Sequence, residues 1–194
     1  MNPRALRLLL SLCVLSSGGM LPPGLDAEPR DRAEIIEAPT QQRHRLVVLT
    51  DIEADPDDTQ SLVRLLLYAN VIDIEALVAT TSVHMKGSVN PDSIRKVIRA
   101  YGEVRPNLLL HESGFPDAEA LLGLVTQGLP EYGMAGVGEG RDSPGSERVI
   151  ELLESDDERP LWISVWGGPN TLAQALYRIR ETRSAEETDR LVRK

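Results

Sequence analysis

Apolar runs alternate with stretches of helical spacing along most of the chain. Leu46-Val47-Val48-Leu49-Thr50 is continuous and short, the mark of a strand buried on both faces. A polar turn follows. Thr59 to Asn70 then carries Leu62, Val63, Leu65, Leu66 and Leu67 at helical spacing. Ile72 to Ala79 predicts a second strand, ending at Thr80-Thr81. Pro91 to Tyr101 predicts a helix with Ile94, Val97 and Ile98 on one stripe. Asn107 to His111 reads as a short strand or turn, and Asp117 to Thr126 as a helix capped by Asp117. Tyr132 to Gly145 is rich in glycine and predicts a loop, of which Gly136 to Gly140 reads as a mobile loop or lid. Ser146 to Glu154 predicts a helix, Leu161 to Trp166 a third buried strand, and Thr171 to Ile179 and Ala185 to Val192 two further helices. Trp162 and Trp166 are four apart on that strand, an even spacing that puts them on one face, for which core packing is expected.

Strands that alternate with helices predict an α/β fold: a parallel, Rossmann-like sheet with helices on both faces. Ligands of such sheets bind beyond the carboxyl ends of the strands. Attention therefore falls on residues 51–58, 80–84 and 167–170, each directly after a predicted strand.

The first of these segments, Asp51-Ile52-Glu53-Ala54-Asp55-Pro56-Asp57-Asp58, has five acids in eight positions. Part of it is ordinary helix chemistry. Asp55 suits the cap, Pro56 the first helical position, and Asp57 and Asp58 the positive end of the helix dipole. Asp51 and Glu53 are left over. Crowded carboxylates raise one another's pKa and destabilise a fold unless a cation or proton sits among them. A hard divalent cation such as Ca²⁺, held by carboxylate oxygens, answers that need. The spacing is not that of an EF-hand, because Pro56 stands at the glycine position and Leu62 at the final glutamate position. A phosphatase with two aspartates one residue apart fits poorly, since Glu53 takes the second place.

Gly167-Gly168-Pro169-Asn170-Thr171 predicts a tight turn with Asn170 or Thr171 as helix cap. His84, just after the second strand, is placed for a ligand contact or as a polar rim residue. His111 reads as a structural hydrogen bonder. Gly136-Val137-Gly138-Glu139-Gly140 lacks dinucleotide-loop spacing, because Arg141 stands where the last glycine belongs.

Composition narrows the partners. Among 194 residues, 21 Lys and Arg oppose 30 Asp and Glu, for a net charge of −9. That balance argues against a nucleic acid or an anionic membrane surface as partner. Two Trp, four Tyr and one Phe are too few for a sugar-binding module built on a broad aromatic platform. Arg4 and Arg7, the apolar run Leu8 to Leu15 and the small residues after it form the pattern of an export signal, expected to span 1–27. Its apolar core is too short to span a bilayer as a stable helix. The single cysteine, Cys13, falls inside it, so the mature chain has no thiol chemistry. A secreted or periplasmic location follows. Residues 28–44 read as a linker or surface arm and 45–194 as the folded domain.

A strand, then D-x-E-x-x-x-D-D, then a helix resembles the D-x-D-x-x-x-D-D opening of nucleoside hydrolases. The longer pieces TDIEADPDDTQSLVRLL, ATTSVH, RAYGEVRPNLLLH, YGMAGVGEG and RPLWISVWGGPNTLAQAL are similar to the secreted nucleoside-hydrolase-like proteins of bacteria, some described as cellulose-binding. The resemblance implies that Glu53 is a metal ligand and the base toward an attacking water. It implies that Asp58 is the strongest ligand, Asp57 grips sugar hydroxyls, Asp51 supports them by hydrogen bonds, and the Asn170 carbonyl is a further ligand. His84 would contact substrate. Glu53 replaces the usual Asp, Ala54-Asp55 the usual Pro-Gly, and Ser82 to Met85 the stretch holding a sugar-binding Asn.

The expected chemistry is metal-dependent hydrolysis of a glycosidic or N-glycosidic bond of a small sugar or nucleoside, through an oxocarbenium-like state. The other reading is a non-catalytic extracellular carbohydrate-binding protein with the same fold. An oligomer is compatible with either. The resembled hydrolases add an acid from a later strand, so residues 45–194 are expected to be the N-terminal part of a domain, with an incomplete metal shell.

Overall fold

The structure is a computed structural model and describes residues 42–194. The leader, Cys13 and most of the 28–44 arm lie outside the described residues. Four strands, β1 (His44–Thr50), β2 (Ile72–Ala79), β3 (Val125–Gln127) and β4 (Leu161–Val165), form one sheet in the order β3-β2-β1-β4. Every neighbouring pair is parallel. The helices are α1 (Pro56–Leu66), α2 (Pro91–Leu108), α3 (Ala118–Leu122), α4 (Pro144–Glu154), α5 (Asn170–Thr182) and α6 (Ala185–Val192). A 3₁₀ turn occupies Gly133–Gly136.

Alternation along β1 divides the core in two. Leu46 and Val48 face α1 and α2, where Leu62, Leu66, Ile94, Ile98 and Tyr101 are buried. Val47 and Leu49 face α4 and α5, against Val149, Leu152, Ala175 and Ile179. Each such aliphatic side chain contributes about 1.5–3 kcal/mol on full burial, so the two central strands are fixed between both layers. The predicted β1 and β2 are both present, β2 with the predicted bounds.

Register slips by one residue where Leu46 pairs with Ile74 and Val47 with Ala76. Glu75 is the extra residue, and a bulge re-aims its side chain. Its Oε1 accepts from Arg45 Nε at 2.9 Å. Arg45 is 1% exposed. It also donates to the carbonyls of Leu152, Asp157 and Arg159 and to Ser155 Oγ, tying the end of α4 and the 155–159 turn to the sheet. Beside it, Arg159 bonds both oxygens of Asp157 and holds that carboxyl well below the usual range.

Four sequence expectations are corrected. First, 117–126 is not one helix. α3 stops at Leu122, and Val125–Gln127 forms the edge strand β3 on β2. Asp117 occupies the cap position without a side-chain cap bond, because its carboxylate pairs with Arg105 at 2.8 Å. Second, α2 runs past the predicted end at Tyr101, through Pro106 to Leu108, and of the two readings of Asn107–His111 the strand is absent while a turn follows the helix end. Arg105 donates twice to the Phe115 carbonyl, and Gly102 admits Ala118 so closely that any Cβ there would sit 2.9 Å from its Cβ. These contacts outweigh proline's cost near a helix end. Third, β4 is not buried on both faces. It is an edge strand, paired only with β1, and Trp162 is 59% exposed rather than in the core. Its ring meets His44 edge-on, with centroids 6.1 Å apart. Trp166, in contrast, packs against the α1–α2 side of the core. Fourth, the glycine-rich segment after β3 is fastened down, as described below.

No helix among the described residues is long and apolar enough to cross a membrane.

Candidate functional site

The carboxyl ends of β1, β2, β3 and β4 meet over a polar floor. Main-chain bonds lock the ends together: Thr80 N–H donates to Thr50 O at 2.8 Å, Gly168 N–H to Thr81 O at 2.8 Å, and Gly128 N–H to Ala79 O at 2.9 Å. Asn170 stands at the centre of the side-chain bonds. Its Oδ1 accepts from Thr81 Oγ1 at 3.2 Å, and its Nδ2 donates to the Glu131 carbonyl at 3.1 Å. Thr80 Oγ1 lies 3.3 Å from Thr171 Oγ1. Helix α5 begins at Asn170 after Pro169, with no side-chain cap bond. Neither Asn170 nor Thr171 is therefore the predicted cap. The Asn170 amide braces the loops after β2 and β3, and its residue forms the first turn of α5.

The acid turn sits against this floor. Asp51 and Asp58 are each 7% exposed. Thr50 Oγ1 donates to Asp58 Oδ2 and accepts from Ile52 N–H. Asn90 Nδ2 donates to the Ile52 carbonyl at 3.2 Å, fixing the turn from the loop after β2. Gly167 lies so near Asp51 that an added Cβ would be 2.8 Å from its backbone N and its Cβ. Only glycine lets the β4 turn close over the Asp51 carboxylate. The helix cap is positional only, because Asp55 makes no side-chain cap bond.

Burial pushes the Asp58 carboxyl above the ordinary range; the Thr50 hydroxyl opposes this, and the neighbouring Asp51, then Asp57, adds to it. Among the described residues no Lys, Arg or His forms an ion pair with any of the five acids. Without a cation, the folded chain holds the Asp58 proton to higher pH than the unfolded chain. Its stabilising contribution is then full below the unfolded value and is lost as pH rises through the folded one. Thermal unfolding of metal-free protein across acid pH should show stability falling over that window. Asp58→Asn should remove this part of the slope.

Glu53 has a different setting. Ala54 N–H bonds to Asp51 O at 2.9 Å, closing a turn in which Glu53 has φ 81°. That left-handed conformation costs a non-glycine residue on the order of 1–3 kcal/mol and clusters at functional sites. The Glu53 side chain is exposed, and its carboxylate has no hydrogen-bond partner among the described residues. Asp57, in the first turn of α1, and His84 also stand exposed on the rim. The main-chain N–H of His84 donates to Ser82 Oγ at 3.0 Å. The structure thus brings Asp51, Asp58 and Asn170 onto the floor and leaves Glu53, Asp57 and His84 around the mouth.

The all-oxygen donor set, two buried carboxylates without a counter-charge, fits a hard divalent cation. Among the described residues no three His, Cys, Asp or Glu side chains converge as a metal group. Backbone carbonyls or further ligands would have to complete a shell.

The Gly-rich segment is held by α5. Gln174, 1% exposed, accepts from Gly138 N–H at 2.7 Å and donates to Gly138 O at 3.1 Å and to Asp142 Oδ1 at 2.7 Å. Arg178 pairs with Asp142 at 3.1 Å. The sequence reading missed Thr50, Asn90 and Gln174. A threonine closing an apolar strand before an acid turn is the one local signal that points to such a role.

Residues 45–194 match the family described as cellulose-binding Sde182, nucleoside hydrolase-like domain, and the chain belongs to that family. A solved structure described as a nucleoside hydrolase-related hypothetical protein from Saccharophagus degradans, associated with carbohydrate metabolism, is 41% identical with a TM-score of 0.76. The match covers 79% of this chain and 37% of that one. The chain therefore spans little more than a third of that neighbour's length. No functionally curated protein matches.

Proposed function

We propose that the carboxyl end of the sheet is a divalent-cation-dependent site that binds a sugar ring and hydrolyses its glycosidic or N-glycosidic bond. The observation that carries this reading is the buried Asp51–Asp58 pair with no protein cation beside it. Family membership supports a carbohydrate-related ligand and an extracellular setting. The ion we assign is Ca²⁺, held by Asp58, Glu53 and the Asn170 carbonyl, with Asp51 supporting Asp58. When bound, such an ion lowers the pKa of an attached water and polarises sugar hydroxyls. The residues do the rest. Glu53 receives the proton at its carboxylate, Asp57 and His84 hold hydroxyls from the rim, and the Asn170 brace keeps the strand ends in register.

Calorimetry tests the ion. Ca²⁺ should bind stoichiometrically, and Asp58→Asn, which keeps the shape and removes the charge, should abolish that binding. Unchanged binding in the variant would sink the assignment. Turnover of nucleosides and β-glucosides, with and without a chelator, tests the chemistry.

One observation favours the second reading, a non-catalytic sugar-binding domain. No neighbour among the described residues aims the Glu53 carboxylate, whereas a base needs hydrogen-bond reach of its proton. Saccharide binding without any turnover would select that reading.

A further inference from the structure

The loop after β3 carries a side chain that neither core uses. Tyr132 is 40% exposed and belongs to neither hydrophobic cluster. Its place is nonetheless fixed. The preceding carbonyl, that of Glu131, accepts from both Asn170 Nδ2 and Thr81 Oγ1, so Tyr132 stands one residue from the polar floor. Arg141 pairs with the Glu131 carboxylate at 2.7 Å. Gln174 grips Gly138 from below with both ends of its amide. Three glycines, Gly133, Gly138 and Gly140, have positive φ with open space where a Cβ would be, so the path of the loop rests on their conformational freedom.

Lys86, in the loop after β2, sets its ammonium 5.8 Å from the centre of the Tyr132 ring. A cation at that distance is held by the ring's quadrupole. Lys86 has no carboxylate partner among the described residues. Other aromatics have different surroundings. Tyr177 meets Arg180, buried Tyr101 donates to the Pro116 carbonyl, exposed Tyr68 lies just past the end of α1, and Trp162 meets His44 at the opposite end of the strands.

We propose that Tyr132 is a stacking surface for one sugar ring at the mouth of the site, with Lys86 bracing the tyrosine from one side and offering N–H donors to the sugar's hydroxyls. A sugar presents a face of C–H groups that packs on an aromatic ring, while its hydroxyls point outward to donors and carboxylates. The pair supplies both halves of that match; Asp57, in the first turn of α1, and His84, two residues before Lys86, are also exposed in segments that follow the carboxyl ends of strands. The ligand class is a neutral sugar ring, either a glucan unit or the ribose of a nucleoside. This inference rests on the sugar-site reading above and adds where the ring lies.

The test is calorimetry on the full chain in Ca²⁺, with cellotetraose in one arm and inosine in the other. Tyr132→Ala should weaken the binding sugar by about tenfold, the loss that follows removal of a stacking surface. Tyr132→Phe should restore most of it, because the ring remains. Lys86→Met should lose less than Tyr132→Ala. Thermal unfolding at the wild-type temperature shows that each variant is folded. Wild-type affinity in folded Tyr132→Ala would overturn this inference and leave the sugar site standing. Binding of neither ligand by wild-type protein that does bind Ca²⁺ would overturn both.

Discussion

Arg45→Ala is expected to lower the stability of the domain by about 3–5 kcal/mol, the usual cost of breaking a buried charge pair by deleting one partner. That is a large share of the roughly 5–15 kcal/mol that holds an ordinary domain folded. The reason lies in what the guanidinium leaves behind. The Glu75 carboxylate, re-aimed by its bulge, loses its closest cation, and the carbonyls of Leu152, Asp157 and Arg159 lose a donor. Arg45→Met fills more of the volume but restores none of these bonds, so it should recover only part of the loss. Arg95→Ala removes an exposed pair with Asp92 and should change little. Urea unfolding followed by circular dichroism measures all three. A loss below about 1 kcal/mol for Arg45→Ala would mean that water replaces the guanidinium, and that the cluster does not hold α4 to the sheet.

Glu53→Gln is expected to reduce hydrolysis by about 10²-fold or more under conditions where wild-type protein turns over, while leaving the fold intact. The substitution keeps length and shape and removes the proton acceptor. Single-turnover rates on the best nucleoside or glucoside would read the effect. Near-native turnover would move the base to Asp51 or Asp57. The strained backbone at this residue gives a second handle. With φ at 81°, glycine is the residue that the turn itself prefers. A Glu53→Gly protein that unfolds at higher temperature than wild type yet is inactive would show that this side chain is kept for what it does at the mouth.

The central strands were legible because Val47 to Leu49 and Ala76 to Ala79 are buried from both faces, and burial of that kind writes an unbroken apolar run. The location of the candidate site was legible for a related reason: parallel strands gather their carboxyl ends, so the acids after β1 had to lie near the turn after β4. Edges were harder. Val125-Thr126-Gln127 continues the apolar spacing of Leu121, Leu122 and Leu124, and only the pairing with β2 turns it into a strand. Trp162 reads as core because tryptophan usually is. Its exposure depends on how little covers the α1–α2 face beside β4, a tertiary fact. Arg45 was invisible as a clamp because its partners lie 30 to 114 positions away. The Asp51–Asp58 pair shows the same limit from the other side. Five acids were plain to see, but which two are buried was decided by Thr50, Gly167 and the packing of α1.

The two tryptophans divide the molecule in a way that light can follow. They share one strand register, yet Trp162 lies open at the amino end of β4 while Trp166 is half-buried just past its carboxyl end, its Nε1–H donating to Ser164 Oγ at 3.0 Å. There are two tryptophans in the chain, so its intrinsic fluorescence is a two-channel signal. A dissolved quencher such as iodide reaches the red-shifted Trp162 emission first, and anything that covers the open β4 face protects it. A ligand settling over Gly167 and the acid turn perturbs the bluer Trp166 emission instead. Replacing either residue by phenylalanine separates the channels, giving a label-free reporter for each end of the sheet.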